Sequence, residues 1–171
     1  VARPTAAMPV NATGELLGIN CGGSQLGFFR FGAPPPAFAQ DRDYQGGKPA
    51  SVPESGPAID TQVPNAAPAA VYQSERWGKC TYTISVKPGQ PCTVRLHFAE
   101  VKLEPGQRKF NVDINGRRVL ADYDIAAEAG KGKAVVKDFP AIAPDAGGNI
   151  VIAFTRGSAD EPKICGIQVL K

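Results

Sequence analysis

An all-β fold is predicted, an antiparallel β-sandwich of jelly-roll type in a single domain with one long Pro-rich loop, and three observations carry it. Apolar and polar residues alternate with period two over most of the chain, the mark of strands with one buried face. The alternating runs are short, about eight to ten in number, and are broken by Gly, Pro and Asn-Gly turns. No stretch has the periodicity of an amphipathic helix, and no apolar run reaches the roughly 18 residues of a membrane span. A chain of 171 residues suits one domain with one core. Charged residues make up 20% and the formal net charge is +3. Acids and bases are interspersed, which argues against nucleic acid or a membrane as partner. The chain begins at Val1, and we read it as a mature or excised domain of a longer protein.

Residues 1–14 are small, Pro-containing and aperiodic, a flexible arm ahead of a domain over 15–171. Asn11-Ala12-Thr13 forms a glycosylation sequon. Leu17, Ile19 and Cys21 alternate into a first strand ending at Gly22-Gly23, and Phe28, Phe29 and Phe31 mark a second strand or turn. The segment from Gly32 to Ala70, with Pro34-Pro35-Pro36 and five more prolines, excludes a helix or an inner strand. It reads as a long loop, and its stretch from Phe38 to Gly47 concentrates aromatic, acidic and glycine residues as binding loops do.

The most regular pattern follows. Tyr82, Ile84 and Val86 form one apolar row, and Cys92, Val94, Leu96 and Phe98 another, with Glu100 in register behind them. The turn Lys87-Pro88-Gly89-Gln90-Pro91 lies between. As a simple hairpin it would set Cys92 against Val86 and Cys80 against Phe98. Asn115-Gly116 between alternating runs is the strongest short hairpin signal. Val119, Ala121, Tyr123 and Ile125 continue its return strand, 126–133 is a turn region, and Ala134 to Phe139 is a strand. Ile150, Ile152 and Phe154 alternate in another strand, which leads into the polar loop Arg156 to Pro162. Cys165, Ile167 and Val169 close the chain.

Little here resembles catalysis. His97 is the sole histidine, alternates outward beside Arg95 and has no nucleophile signature near it. Glu100, Asp113, Asp122, Asp124 and Asp138 could be paired in many ways by strand spacing alone, so they read as turn caps and surface charges, and no enzyme is expected. Cys21, Cys80, Cys92 and Cys165 show no CxxC spacing, which with one histidine argues against zinc. Cys21 and Cys165 are the best placed for a disulfide, because first and last strands of a sandwich often adjoin; four small buried thiols are the alternative. No cofactor is expected, although Asp122 and Asp124 with a nearby carbonyl could hold a structural calcium. Tyr44 and Trp77 stand out: both lie in polar, glycine-bearing surroundings, off the regular strands, where a displayed ring stacks on the C–H face of a sugar while neighbouring polar groups bind hydroxyls.

Several stretches together resemble the malectin-like carbohydrate-binding modules: Ile19-Asn20-Cys21-Gly22-Gly23; Asp41, Tyr44, Gly46 and Gly47; Tyr72-Gln73-Ser74-Glu75-Arg76-Trp77; Val94 to Glu100; Phe110 to Gly116; and Asp160-Glu161-Pro162-Lys163-Ile164-Cys165. They occur in family order from Leu17 onward. The resemblance implies a jelly-roll lectin without catalytic activity, whose sugar is held by aromatic rings and an aspartate on loops at one end of the sandwich. Matched by motif, Tyr44 and Trp77 are the rings and Asp160 the acid, with Glu75, Arg76 and Lys102 beside them. Trp77 stands where the family usually has Tyr. Lys102 and Leu103 stand where two further aromatics are usual, and so do Ser158 and Ala159. The resemblance implies an oligosaccharide or polysaccharide partner, a tether to a secreted bacterial glycoside hydrolase, and a secreted, periplasmic or cell-surface location. The alternative is a structural or protein-interaction sandwich that uses the Pro-rich loop.

Overall fold

The computed structural model describes residues 18–27, 38–53 and 56–171. The arm over 1–14, its sequon and the Phe28, Phe29, Phe31 segment lie outside the described residues.

In chain order the strands are β1 (Gly18–Asn20), β2 (Phe38–Gln40), β3 (Tyr44–Ser51), β4 (Ser74–Ser85), β5 (Cys92–Ala99), β6 (Lys109–Ile114), β7 (Arg117–Tyr123), β8 (Ala134–Ile142), β9 (Asn149–Ala159), β10 (Lys163–Ile164) and β11 (Gly166–Leu170). A single 3₁₀ turn, Ala69–Gln73, precedes β4, and a one-turn helix, α1 (Ile125–Ala129), follows β7. Two sheets result, ordered β2-β1-β11-β5-β8 and β10-β4-β9-β6-β7, with β3 added to the free side of β4. The all-β sandwich is as the alternation implied. Pairing is antiparallel except for β1 and β2, which run parallel.

Inward side chains of the two sheets form one core that includes Tyr82, Ile84, Leu96, Phe98, Phe110, Ile152, Phe154 and Ile167. The Asn115-Gly116 hairpin forms as expected, both residues at positive φ (47° and 79°) between β6 and β7.

Four expectations are corrected. The turn at 87–91 does not close a hairpin: β4 and β5 belong to different sheets, and the link crosses between them. Alternation assigns each strand a buried face but not a hydrogen-bonding neighbour, and the ladder positions of β4 are taken by β3, β9 and β10. The long Pro-rich segment is not loop throughout, since it supplies β2 and β3. The latter sits at a sheet edge, where Pro49 has no ladder bond to lose. The turn region 126–133 begins inside α1, which Asp124 caps by accepting from Ala127 N at 2.9 Å.

His97, expected to face outward, has no exposed surface. It does lie on the outer face of its sheet, but the 3₁₀ turn, Phe38 and the segment near Ile59 and Ala67 cover that face with a second apolar cluster. Tyr72 OH accepts from Ala67 N at 3.1 Å and donates to His97 Nδ1 at 2.9 Å, while His97 Nε2–H donates to Gln168 Oε1 at 2.7 Å. In this arrangement the ring is neutral, the form that burial favours.

The four cysteines are free and buried. Cys21 and Cys165 are neighbours, as the adjacency of β1 and β11 implies, with Cys21 N donating to Cys165 O at 2.9 Å, but no disulfide joins them. Burial pushes the Cys80 and Cys165 thiols up to about 12.

The histidine makes stability pH-dependent. Burial lowers its pKa from the ordinary 6.5 to about 4, so between those values the unfolded chain binds the extra proton and the folded one does not. Stability is full above pH 6.5 and is lost as pH falls toward 4, by about 3 kcal/mol at most. Urea unfolding at steps through that window should show the slope in the wild type, and His97→Gln should remove it.

Candidate binding site

The motif Ser74 to Trp77 opens strand β4, where β3 pairs with it on one side and β10 meets Arg76 and Trp77 on the other. Arg76 stands opposite Ile164, a core residue, and Trp77 stands opposite Lys163, so the two leave the strand on opposite sides. Trp77 is exposed over 36% of its surface and Tyr44 over 45%. Neither lies off the strands as expected: Tyr44 opens β3 opposite Tyr82, and Trp77 is held from both sides of β4 by Lys48 and Lys163. A ladder on each side gives the indole a fixed base while leaving part of it exposed.

Beneath Tyr44 is a buried ion pair. Arg76 donates from Nε and a terminal nitrogen to Asp41 Oδ2 at 2.9 and 2.7 Å, and from its other terminal nitrogen to Gly46 O at 3.0 Å. Tyr82 OH donates to the second Asp41 oxygen at 2.8 Å. The guanidinium carbon then lies 3.4 Å from the centre of the Tyr44 ring, and Tyr82 meets that ring edge-on at 6.2 Å. Arg76 is therefore a support: it orients one face of the phenol, and each of its three nitrogens is engaged within the fold.

A second set of charges fixes the loops around Trp77. Glu75 pairs with buried Lys163. Glu100, itself buried, accepts from the backbone N–H groups of Val101, Lys102 and Leu103 through Oε1, at 3.1, 3.0 and 3.2 Å, and from Arg108 Nε through Oε2 at 2.7 Å. Arg108 continues to Glu161 O at 2.6 Å and to Asp160 Oδ2 at 3.5 Å. Burial raises the pKa of Glu100, but Lys163, the Lys102 amide and Arg108 outweigh it and leave the carboxylate below its ordinary range.

One carboxylate thus ties the loop bearing Lys102 to the loop bearing Asp160. Gly78 N donates to Pro162 O at 2.9 Å, which sets the Asp160 loop beside Trp77. Asp160 adopts φ +54° with its side chain partly exposed, and Lys102 is exposed on its loop. The sandwich is also closely packed here, since a Cβ on Gly22 would fall 1.9 Å from Glu75 O, at a φ of +70°.

The Asp160 loop is set beside Trp77 and Lys102 lies on the loop tied to it through Glu100 and Arg108, while Tyr44 lies on the other side of β4 and Glu75 and Arg76 are engaged within the fold. No ring contact joins Tyr44 and Trp77 among the described residues. Sequence reasoning missed the supports Lys163, Arg108 and Asp41. For the first two a signal existed: Glu100 continues the buried apolar row of β5, and a carboxylate in such a row needs cationic partners.

The other acids are committed locally. Asp122 accepts from Ser158 N and Oγ, both at 2.7 Å, and Asp124 caps α1 and accepts from Gly106 N at 2.5 Å. Among the described residues no group of three or more His, Cys, Asp or Glu is placed to share a metal ion.

Comparison with known proteins places this geometry. The family model for the malectin domain matches residues 15–167. Malectin-B of Xenopus laevis is 29% identical over 122 residues, covering 63% of this chain and 44% of that protein. Malectin of Mus musculus is 32% identical over 117 residues, covering 58% and 39%. The chain thus spans less than half the length of these relatives. Among solved structures, the ANX2 ectodomain of Arabidopsis thaliana superimposes with a TM-score of 0.77 at 23% identity, over 91% of this chain and 49% of that one. A complex of the plant peptide RALF23 with FER and LLG2 gives 0.74 at 21%, over 92% and 48%.

The loop clamp is testable by removing one partner. Arg108→Ala leaves the buried Glu100 carboxylate without the cation bonded to it, and urea unfolding should show a loss of about 3 to 5 kcal/mol. An exposed control such as Lys87→Ala should stay within about 0.5 kcal/mol of wild type.

Proposed function

Since the chain belongs to the malectin domain family, we propose that it is a non-catalytic module that binds an oligosaccharide or polysaccharide at the loop end of the sandwich. The observation that carries this reading is Trp77: an indole exposed on a strand paired on both sides, beside an acid-bearing loop fixed by buried charges. A backbone held that way loses little freedom on binding, so more of the stacking energy is available for affinity. Trp77 stacks on a sugar ring, Asp160 accepts hydrogen bonds from hydroxyls and Lys102 donates to them. Tyr44 offers the ring face that Arg76 does not cover. Glu75 and Arg76 position these groups without touching the ligand.

The same reading extends to context. The module works outside the cytoplasm, tethered to a catalytic domain acting on polysaccharide, and concentrates that enzyme on its substrate. A protein-interaction role is the second reading. One fold neighbour is a complex with the peptide RALF23, and the fold alone does not separate the two.

Affinity electrophoresis through gels cast with soluble polysaccharides separates them. Wild-type protein should be retarded by its cognate glycan, Trp77→Ala should migrate as in a blank gel with an unchanged far-UV spectrum, and Tyr44→Ala should be retarded less than wild type. Unchanged retardation of Trp77→Ala would remove the indole from the site.

A further inference from the structure

The surroundings of Trp77 are cationic in a way the overall charge does not show. Lys48 stands directly across from Trp77 in the β3–β4 register, and Lys79 lies two residues further along β4. Lys102 projects from the loop that Glu100 fixes. All three are exposed, and among the described residues none makes an ion pair. The fourth cation, Lys163, is buried and neutralised by Glu75.

The nearby acids do not balance the three free lysines. Asp160 shares Arg108, and Glu161 lies 3.7 Å from Arg156. Beyond Lys79 the same edge continues into a hollow of about 220 Å3 lined by Asp43, Tyr44, Gln45, Thr81 and Thr83. Asp43 is paired with Arg42 at 2.9 Å, so this hollow offers mainly hydroxyl and amide groups. From Trp77 to Thr83 the strand runs about 20 Å, the length of several linked sugars rather than one.

We infer that the ligand is an anionic polysaccharide, one bearing uronic-acid carboxylates, laid along the β3–β4 edge. Trp77 stacks on one sugar ring, Lys48 and Lys79 pair with carboxylates beside it, and Lys102 meets the chain from the adjoining loop. Gln45, Thr81 and Thr83 take hydroxyls further along. Lysine suits this task, since a mobile ammonium follows carboxylates that recur along a polymer without demanding one fixed geometry. The inference rests on the glycan-binding reading and specifies its substrate class.

Calorimetric titration with polygalacturonate or alginate oligomers, a neutral β-glucan of matched length and polyglutamate tests it. The expected result is binding to a uronate polymer that weakens steeply as salt is raised. Lys48→Gln/Lys79→Gln should lose about tenfold in affinity, as expected of two partly screened charge pairs. Trp77→Ala should lose binding altogether. Salt-independent binding to the neutral glucan alone overturns the anionic assignment and leaves the glycan reading standing, whereas binding to none of the sugars overturns both. Equal binding to polyglutamate, or uronate binding unchanged in the double variant, also overturns the inference, because the surface would then act as a plain ion exchanger or bind elsewhere.

Discussion

The loop end of this sandwich depends on a carboxylate that sits where an apolar side chain would otherwise be. Glu100 continues the inward row of β5, is almost wholly buried, and is kept ionised by Arg108, Lys163 and three backbone amides. An isolated buried charge would be very costly, so the surrounding groups have little freedom to depart from it. Two loops distant in sequence are thereby fixed to each other, and the short strand β10 is fixed to the start of β4 through Lys163 and Glu75. Hydrophobic packing alone is non-directional and would not specify where such loops lie.

The same principle recurs on the other side of β4. Asp41 gathers Arg76 and Tyr82, and the guanidinium so placed becomes the floor for Tyr44. The Tyr44 ring is therefore set by buried polar groups, and the backbone of Trp77 by the strands that pair with β4 on either side. A rigid ring costs less to immobilise when a ligand arrives, and the charges that hold it are screened less by salt than charges in open solvent. The free lysines differ from these: among the described residues none of them makes an ion pair.

The strap over His97 shows how a sandwich whose outer face is apolar protects it. Phe38, Val71 and Tyr72 close over β5 and β11, and burial among them favours the neutral form of the histidine, which bonds to Tyr72 and Gln168. The Pro-rich segment, unable to form helix or inner strand, thus has two structural duties. It supplies the edge strand β3 beside Trp77 and the cover for the second apolar cluster.

By itself the sequence determined which faces are buried, where the Asn115-Gly116 hairpin lies, and that Tyr44 and Trp77 keep surface exposed. These are local properties, set by the period-two alternation and turn chemistry of consecutive residues. Tertiary structure decided what alternation leaves open: which strand pairs with which, so that β4 and β5 separate into different sheets, and what covers an outer face, so that His97 is buried. It also decided that Arg76 and Glu75 serve the fold while Lys48 and Lys79 flank Trp77. Those outcomes depend on residues far apart in sequence meeting across a ladder or through a buried charge; a chain read in order shows that a carboxylate such as Glu100 needs a cation, but not which cation meets it.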